Sequence, residues 1–329
     1  MCVHRFFDFV FDGDVVWGYL MTGRKKNNFK KFIGIFLVII LANVVFILPL
    51  ITMIIYESIF GMRYETSDET RFLLEEFDGL QMERSDFISE GKLLAGYQYK
   101  KDNCNKNGVV VFAHGLGGGG HNTYMPFIDY FTSNGYYVFT YDATGNDNSE
   151  GNDVNGFPQG IIDLDNAIEH VTTIEEYEDL PVFLVGHSWG GYSVGNVLNF
   201  HPEVKAAVII AGFNESENLL QHYSEKYVGD LLIDFLMLYV EGYEQLKFGK
   251  EFTDITAVMG MQNTTADILI VHSKDDTNVP IEYGYELFYD KFGDSERFEF
   301  ILYEDKGHSF ELETEHMEQM IEMFDENGL

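Results

Sequence analysis

The chain has 329 residues and a formal net charge of −33, with 54 acidic against 21 basic side chains. A surface this acidic repels phosphates, which excludes nucleic acid as the expected partner. The two cysteines, Cys2 and Cys104, stand on opposite sides of a long apolar segment, so we expect no internal disulfide.

Residues 32–55 are that apolar segment, and they contain no charged side chain. At about 1.5 Å per residue, such a helix is long enough to cross a hydrocarbon layer of about 30 Å. A buried core helix is the alternative, but core helices are usually shorter and carry a polar face. More basic residues precede the segment than follow it, which predicts a cytoplasmic segment at residues 1–31 and an exported domain. We therefore expect a single-pass, uncleaved anchor in the cell membrane.

Residues 56–79 form an acidic segment that we expect to act as a spacer. Two antiparallel strands are predicted near residues 80–88 and 92–101, joined by Glu90 and Gly91. From there apolar strand patterns alternate with helical ones. That order is typical of an α/β domain in which helices cover both faces of a mostly parallel sheet. We place this domain at residues 80–329.

The run Gly186-His187-Ser188-Trp189-Gly190 is the most informative motif, because it lies between a predicted strand and a predicted helix. A serine at such a sharp turn is held clear of the sheet, and the flanking glycines avoid Cβ clashes. The pattern is typical of a nucleophile elbow, with Ser188 as nucleophile. The helix that follows directs its first N–H groups, beginning with Trp189, toward a developing oxyanion.

The other groups that an activated serine needs follow three more predicted strands. A glycine-rich turn after residues 109–113 places the N–H of Leu116 as a second oxyanion donor. A loop with Asp275 and Asp276 follows the strand at residues 268–271, and His308 follows the strand at residues 298–303. A histidine takes the serine proton and an acid orients the histidine. The chain order is therefore serine, aspartate, histidine.

With these motifs the chain, over roughly residues 80–324, resembles the α/β-hydrolase superfamily. The segment from Asp142 to Gly151 is similar to the D-x-x-G-x-x-x-S-x-G loop of its monoacylglycerol-lipase-like and serine-aminopeptidase-like branches. The resemblance implies that Asp276, which matches the D-x-x-V-P pattern, is the triad acid. It also implies a small helical cap at about residues 213–262, which either covers the site or only packs on the sheet. Trp189 is bulkier than the usual residue after the nucleophile, and we expect it to narrow the acyl site.

No cysteine and histidine cluster predicts a metal site, and the mechanism needs no cofactor. The acidic series at Asp142, Asp147, Glu150 and Asp153 lacks the spacing of an EF-hand, although calcium binding there is an alternative. The sequence favours a membrane-anchored serine hydrolase of carboxylic esters, with a small-molecule or lipid-like ester as substrate. A serine-aminopeptidase-like peptidase or amidase is the first alternative. A non-catalytic binding protein that keeps the fold is the second.

Overall fold

The computed structural model describes residues 25–102, 107–117, 119–309 and 311–328. Most of the predicted cytoplasmic segment and both cysteines lie outside these ranges. The chain divides into two compact units, Met1–Ile54 and Ile55–Leu329, which are described separately.

The first unit is helical in its described part. Helix α1 (Lys25–Ala42) continues through a π-helical turn (Asn43–Ile47) into helix α2 (Leu48–Phe60). The amide of Asn43 donates a hydrogen bond to the Ile39 carbonyl 2.8 Å away, so the polar side chain of the apolar segment is satisfied within its own helix. Within the described chain, one helix, Phe29–Phe60, is long and apolar enough to cross a membrane. It extends about one turn beyond the predicted end at residue 55.

Eight of the ten strands in the described chain form one sheet in the order β1-β4-β6-β5-β7-β8-β9-β10. Strand β4 is antiparallel to both of its neighbours, and every other pair is parallel, as the sequence predicts. The strands are β1 (Gln81–Arg84), β2 (Phe87–Ser89), β3 (Lys92–Leu94), β4 (Gly96–Lys100), β5 (Val109–Ala113), β6 (Tyr137–Tyr141), β7 (Val182–His187), β8 (Ala206–Ile210), β9 (Asp267–Ser273) and β10 (Phe298–Tyr303).

The two predicted N-terminal strands are each divided in two. Strands β2 and β3 form a separate hairpin whose turn residues, Glu90 and Gly91, both have positive φ, at 45° and 77°. Two left-handed residues in succession match the twist of a two-residue hairpin. Strands β1 and β4 instead join the edge of the main sheet, where the Ser85 N–H bonds the Gly96 carbonyl at 2.8 Å.

Helices cover both faces of the sheet, because successive strand residues point to opposite sides. The helices of the second unit, after the end of α2, are α3 (Met125–Ser133), α4 (Phe157–Val171), α5 (Trp189–Val197), α6 (Ser216–Val228), α7 (Asp230–Phe248), α8 (Lys250–Thr253), α9 (Ala257–Asn263), α10 (Tyr285–Phe292) and α11 (Thr314–Asn327). In β5, Val109 and Val111 belong to the core under α4, α5 and α10, whereas Val110 and Phe112 belong to the core under α3 and α11.

Helices α6 to α9 lie between β8 and β9, in the segment for which a helical cap is predicted. Residues 56–79, which are predicted to act as a spacer, are partly packed into the folded domain. Tyr56, Phe60 and Thr66 are all less than 5% exposed, because their side chains pack against or bond to other residues of the second unit. Much of residues 56–79 is therefore part of the folded domain.

Candidate active site

Ser188 stands between the end of β7 and the start of α5, with φ 56° and ψ −115°. The turn is closed so tightly that the flanking positions have no room for a side chain. A Cβ on Gly186 would lie 2.2 Å from the Gly190 carbonyl oxygen, and a Cβ on Gly190 would lie 2.0 Å from the Ala113 carbonyl oxygen. The local sequence therefore forms the elbow, and only glycine fits at these two positions.

Three predicted side chains meet at the carboxyl edge of the sheet. His308 Nε2 lies 2.8 Å from Ser188 Oγ, and His308 Nδ1 lies 2.7 Å from Asp276 Oδ2. Since Nδ1–H donates to the carboxylate, Nε2 is left to accept the serine proton. The carboxylate of Asp276 is fully buried, whereas the imidazole of His308 is 19% exposed. The histidine can therefore meet a substrate while its partner acid is shielded from water.

Asp276 receives an unusually complete set of donors. Its Oδ1 accepts the backbone N–H groups of Asn278 and Val279 at 2.8 and 2.9 Å. Its Oδ2 lies 3.3 Å from His272 Nε2 in addition to His308. Burial alone would raise the pKa of Asp276, but the hydrogen bonds from His272, His308 and Val279 hold the pKa below its ordinary value. The acid beside the histidine is therefore ionised at neutral pH.

The neighbouring Asp275 lies at the surface, whereas Asp276 is buried. Its side chain is exposed, and its Oδ1 accepts hydrogen bonds from Ser273 Oγ and the Gly307 N–H, both at 2.7 Å. These bonds lower the pKa of Asp275. Asp275 supports the turn that carries His308 and does not contact the imidazole in the triad arrangement.

Trp189 begins α5, where a backbone N–H has no carbonyl one turn earlier to bond. Its indole is 2% exposed, and Nε1 donates to the Phe157 carbonyl at 2.8 Å. Gly160 makes the space, because a Cβ there would lie 2.6 Å from Nε1. A side chain buried in this way lines no open acyl site, contrary to the expectation that its bulk narrows that site.

Leu116 follows β5 in the glycine-rich turn. Two histidines near this turn, His114 and His187, hydrogen-bond to other protein groups and have structural roles. His114 Nδ1 lies 2.7 Å from the Gly115 carbonyl, and its Nε2 accepts the Ala143 N–H at 2.9 Å. His187, next to the nucleophile, bonds Tyr124 Oη at 2.8 Å. Burial first, and then the nearby His308, lower the pKa of His187 to about 3, so it is neutral.

Tyr124 and His272 lie near the site, and the sequence predicts no catalytic or positioning role for either residue. Tyr124 Oη accepts the Gly115 N–H at 3.1 Å and so links the glycine-rich turn to His187. His272 donates to the Val279 carbonyl at 2.8 Å and approaches Asp276. Neither stands in a motif that spacing alone reveals, because each acts on partners that only folding brings near.

Two carboxylates of the acidic series considered for calcium, those of Asp142 and Asp147, accept hydrogen bonds from protein donors. Asp142 bonds His121 Nδ1 at 2.6 Å, and Asp147 accepts the Thr66 N–H, also at 2.6 Å. Over the residues that the structure describes, no group of three or more histidine, cysteine or acidic side chains is arranged to hold a metal ion.

Comparison with known proteins agrees with this architecture. Residues 105–228 match the family model described as serine aminopeptidase, S33. The Pyrococcus furiosus esterase Pf2001 is similar in structure, with a TM-score of 0.60 and 15% identity over 82% of this chain and 99% of that chain. The Pyrococcus horikoshii acylaminoacyl peptidase is similar with a TM-score of 0.57 and 19% identity, over 77% of this chain and 42% of that chain.

No curated protein sequence matches the chain. The sheet order and the S33 match over residues 105–228 agree with each other. The chain therefore has the α/β-hydrolase fold, and residues 105–228, which include the elbow, match the serine aminopeptidase family model.

Proposed function

We propose that this chain is a membrane-anchored serine hydrolase that cleaves carboxylic esters. The observation that carries the proposal is the hydrogen-bonded series Ser188–His308–Asp276, with distances of 2.8 and 2.7 Å, at a strand-to-helix elbow. The arrangement matches the roles of a nucleophile, a general base and an orienting acid. None of these roles requires a cofactor.

In the proposed reaction, Ser188 Oγ attacks the ester carbonyl while His308 Nε2 takes the serine proton. Asp276, ionised and buried, stabilises the imidazolium that forms. The N–H groups of Leu116 and Trp189 are proposed to bind the oxyanion of the tetrahedral intermediate. His308 then gives its proton to the leaving alcohol, and water releases the acyl group from Ser188 by the same steps.

The proposal is tested by labelling with a fluorophosphonate probe, which reacts covalently with an activated serine. The wild-type chain should be labelled and should turn over p-nitrophenyl esters. Ser188→Ala should lose labelling and most turnover, leaving the background that an oxyanion hole supplies. Ser309→Ala, beside the histidine, is the matched control and should keep both. A folded wild-type chain that is neither labelled nor active would favour the non-catalytic binding protein.

The alternative, a peptidase or amidase, rests on the S33 match and on the similarity to the acylaminoacyl peptidase. The ester proposal is supported by coverage, because the similar esterase aligns over 99% of its length whereas the peptidase aligns over 42% of its own. A panel of p-nitrophenyl esters of graded acyl length, measured beside aminoacyl amides, separates the two. Higher kcat/KM on the amides would reverse the assignment.

We also propose that residues 32–55, within helix Phe29–Phe60, anchor the chain with residues 1–31 in the cytoplasm and the hydrolase domain outside. The helix is long and apolar enough, and the flanking basic residues follow the positive-inside bias. Protease added to intact cells or spheroplasts should remove the domain. Protection until the membrane is permeabilised would reverse the orientation, and release of a shortened soluble form would identify a cleaved signal instead.

A further inference from the structure

The residues that follow helix α2 form a strap, residues 61–72, that lies along the loop between Asp142 and Gly151. The Tyr64 N–H bonds the Gly145 carbonyl at 3.0 Å, and the Asp147 N–H bonds the Tyr64 carbonyl at the same distance. These bonds close an isolated parallel bridge between Tyr64 and Asn146. The strap is thus fixed to the domain by its backbone.

Arg63 strengthens this attachment. Its guanidinium donates to the carbonyl oxygens of Ser149 at 2.9 Å and Gly151 at 2.8 Å, and also to that of Asp147. An arginine that donates to three carbonyls of one loop adds charge-assisted hydrogen bonds to the backbone bridge. The strap is therefore joined to the loop by both backbone and side-chain bonds.

Thr66 extends the contact from this unit to the glycine-rich turn. Its Oγ1 accepts the Gly120 N–H at 2.8 Å and donates to Asp147 Oδ2, while its own N–H donates to Asp147 Oδ1 at 2.6 Å. The side chain is 4% exposed. A Cβ on Gly120 would lie 2.2 Å from Asp147 Oδ2, so the turn backbone lies directly against this pair. Replacing the hydroxyl leaves the Gly120 N–H buried without its acceptor.

The other end of the turn is fixed by a second hydroxyl. The Gly115 N–H donates to Tyr124 Oη at 3.1 Å, and Tyr124 Oη lies 2.8 Å from His187 Nδ1 beside the nucleophile. Leu116, the proposed oxyanion donor of the turn, stands between these two fixed ends. The bonds of Gly115 and Gly120 therefore constrain the backbone on both sides of Leu116.

We propose that Thr66 is a positioning residue for the oxyanion hole, through which the strap after the membrane helix sets the position of the Leu116 N–H. The inference rests on the proposed serine hydrolase function. Loss of a whole oxyanion donor lowers kcat by about 10²–10³-fold. Displacement of one donor, without its removal, should therefore lower kcat by roughly tenfold.

The test uses the full-length chain in detergent micelles and compares Thr66→Val with Thr66→Ser. We expect Thr66→Val to lower kcat by roughly tenfold, to change KM by less than about twofold, and to weaken a trifluoromethyl ketone inhibitor by the factor lost in kcat. Such a ketone adds to the serine and places an oxyanion in the hole, so its affinity reports the position of the donors. Thr66→Ser keeps the hydroxyl and should restore both values.

Thr70→Val is the matched control, because Thr70 lies in the same strap and its hydroxyl contacts only Ser67 in the described chain. It should leave kcat and inhibitor affinity unchanged. The proposal would be overturned if Thr66→Val lowers the melting temperature but keeps the wild-type ketone affinity and the wild-type kcat per labelled serine. Thr66 would then have a structural role only. If Thr66→Val does not fold, Asp147→Asn should lower both values together, and unchanged values would equally overturn it.

The inference and the proposed function fail differently. Full activity in Ser188→Ala would overturn the serine mechanism itself. An inactive Ser188→Ala beside a Thr66→Val enzyme of wild-type kcat would leave the mechanism in place and remove only the positioning role.

Discussion

Two buried carboxylates, Asp276 at the carboxyl edge of the sheet and Glu244 on helix α7, differ in their protonation. Asp276 accepts bonds from imidazole and backbone N–H groups, and these hold its pKa below the ordinary value. Glu244 accepts one bond from Tyr56 Oη at 2.7 Å and one from Ser216 Oγ at 2.8 Å. Burial raises the pKa of Glu244 to about 7, and the two hydroxyls offset only part of that rise.

Burial does not by itself decide the charge of a carboxylate. Two backbone N–H groups and two imidazoles compensate the lost hydration of Asp276, whereas two hydroxyls do not compensate that of Glu244. The proposed catalytic acid must be ionised to stabilise an imidazolium, and its partners are suited to that state. Glu244 is outside the proposed reaction.

Removing the charge of Asp276 is expected to have the largest effect. Asp276→Asn should favour the wrong tautomer of His308 and lower kcat by about 10⁴-fold, roughly 5 kcal/mol of transition-state stabilisation. The measurement is ester turnover at neutral pH after circular dichroism has shown that the variant is folded. Asp275→Asn is the matched control and should retain most activity, because Asp275 only supports the turn. A crippled Asp275→Asn beside an active Asp276→Asn would move the triad acid by one residue.

Removing the charge of Glu244 should instead stabilise the chain at alkaline pH. The folded pKa of about 7 lies above the ordinary value of 4.5, so the folded state keeps a proton that the unfolded chain releases. The stability that this proton supplies is complete below pH 4.5 and is lost as the pH rises through about 7. Glu244→Gln should therefore equal the wild type near pH 4.5 and exceed it by up to about 3 kcal/mol at pH 8.

Denaturant unfolding of both chains at several pH values measures this difference. Ester turnover by the folded Glu244→Gln enzyme should stay near the wild-type value. Replacing each carboxylate by its amide thus has a different expected result. Asp276→Asn should lose catalytic rate, whereas Glu244→Gln should gain stability at alkaline pH. A Glu244→Gln chain that is less stable than the wild type at pH 8 would mean that folding does not raise the pKa of Glu244.

The smallest expected effect comes from one donor to Glu244. Tyr56→Phe removes a hydrogen bond to Glu244 Oε1 and should lower the free energy of unfolding by about 1 kcal/mol. The loss should shrink in the Glu244→Gln background if the hydroxyl acts mainly on the carboxylate, which a double-mutant cycle measures. Tyr289→Phe, an exposed tyrosine, is the control and should change nothing. Equal losses in both backgrounds would assign Tyr56 to packing alone.

Local patterns in the sequence predict the elements of the fold, because each element depends on neighbours in the chain. The strand before Ser188 and the two-residue turn at Glu90 and Gly91 are of this kind. The predicted triad joins residues up to 120 positions apart, and the family resemblance of their separate motifs predicts it. The fold class is confirmed by the sheet order and by the similar structures. The catalytic roles of Ser188 and its partners stay predictions until the variants are measured.

The contacts that hold the site in place are not local, and for that reason spacing does not reveal them. Thr66 and Gly120 are 54 residues apart, His187 and Tyr124 are 63 apart, and Tyr56 and Glu244 are 188 apart. Each pair joins a single hydroxyl to one partner, a combination that occurs throughout any sequence. Only the packing of the sheet and cap selects which hydroxyl meets which acceptor. The burial of Trp189 likewise depends on Gly160, a residue on another helix.

The order of the three proposed triad residues along the chain has a consequence for biosynthesis. A ribosome adds residues from the N-terminus, so the apolar helix is made before Ser188, and β10 and His308 are made later still. In the described chain strand β10 pairs only with β9, so it closes one edge after the rest of the sheet is available. A nascent chain would thus contain Ser188 before its proposed base has been made. By the proposed mechanism, hydrolysis would begin only after translation has passed His308 and the sheet is complete.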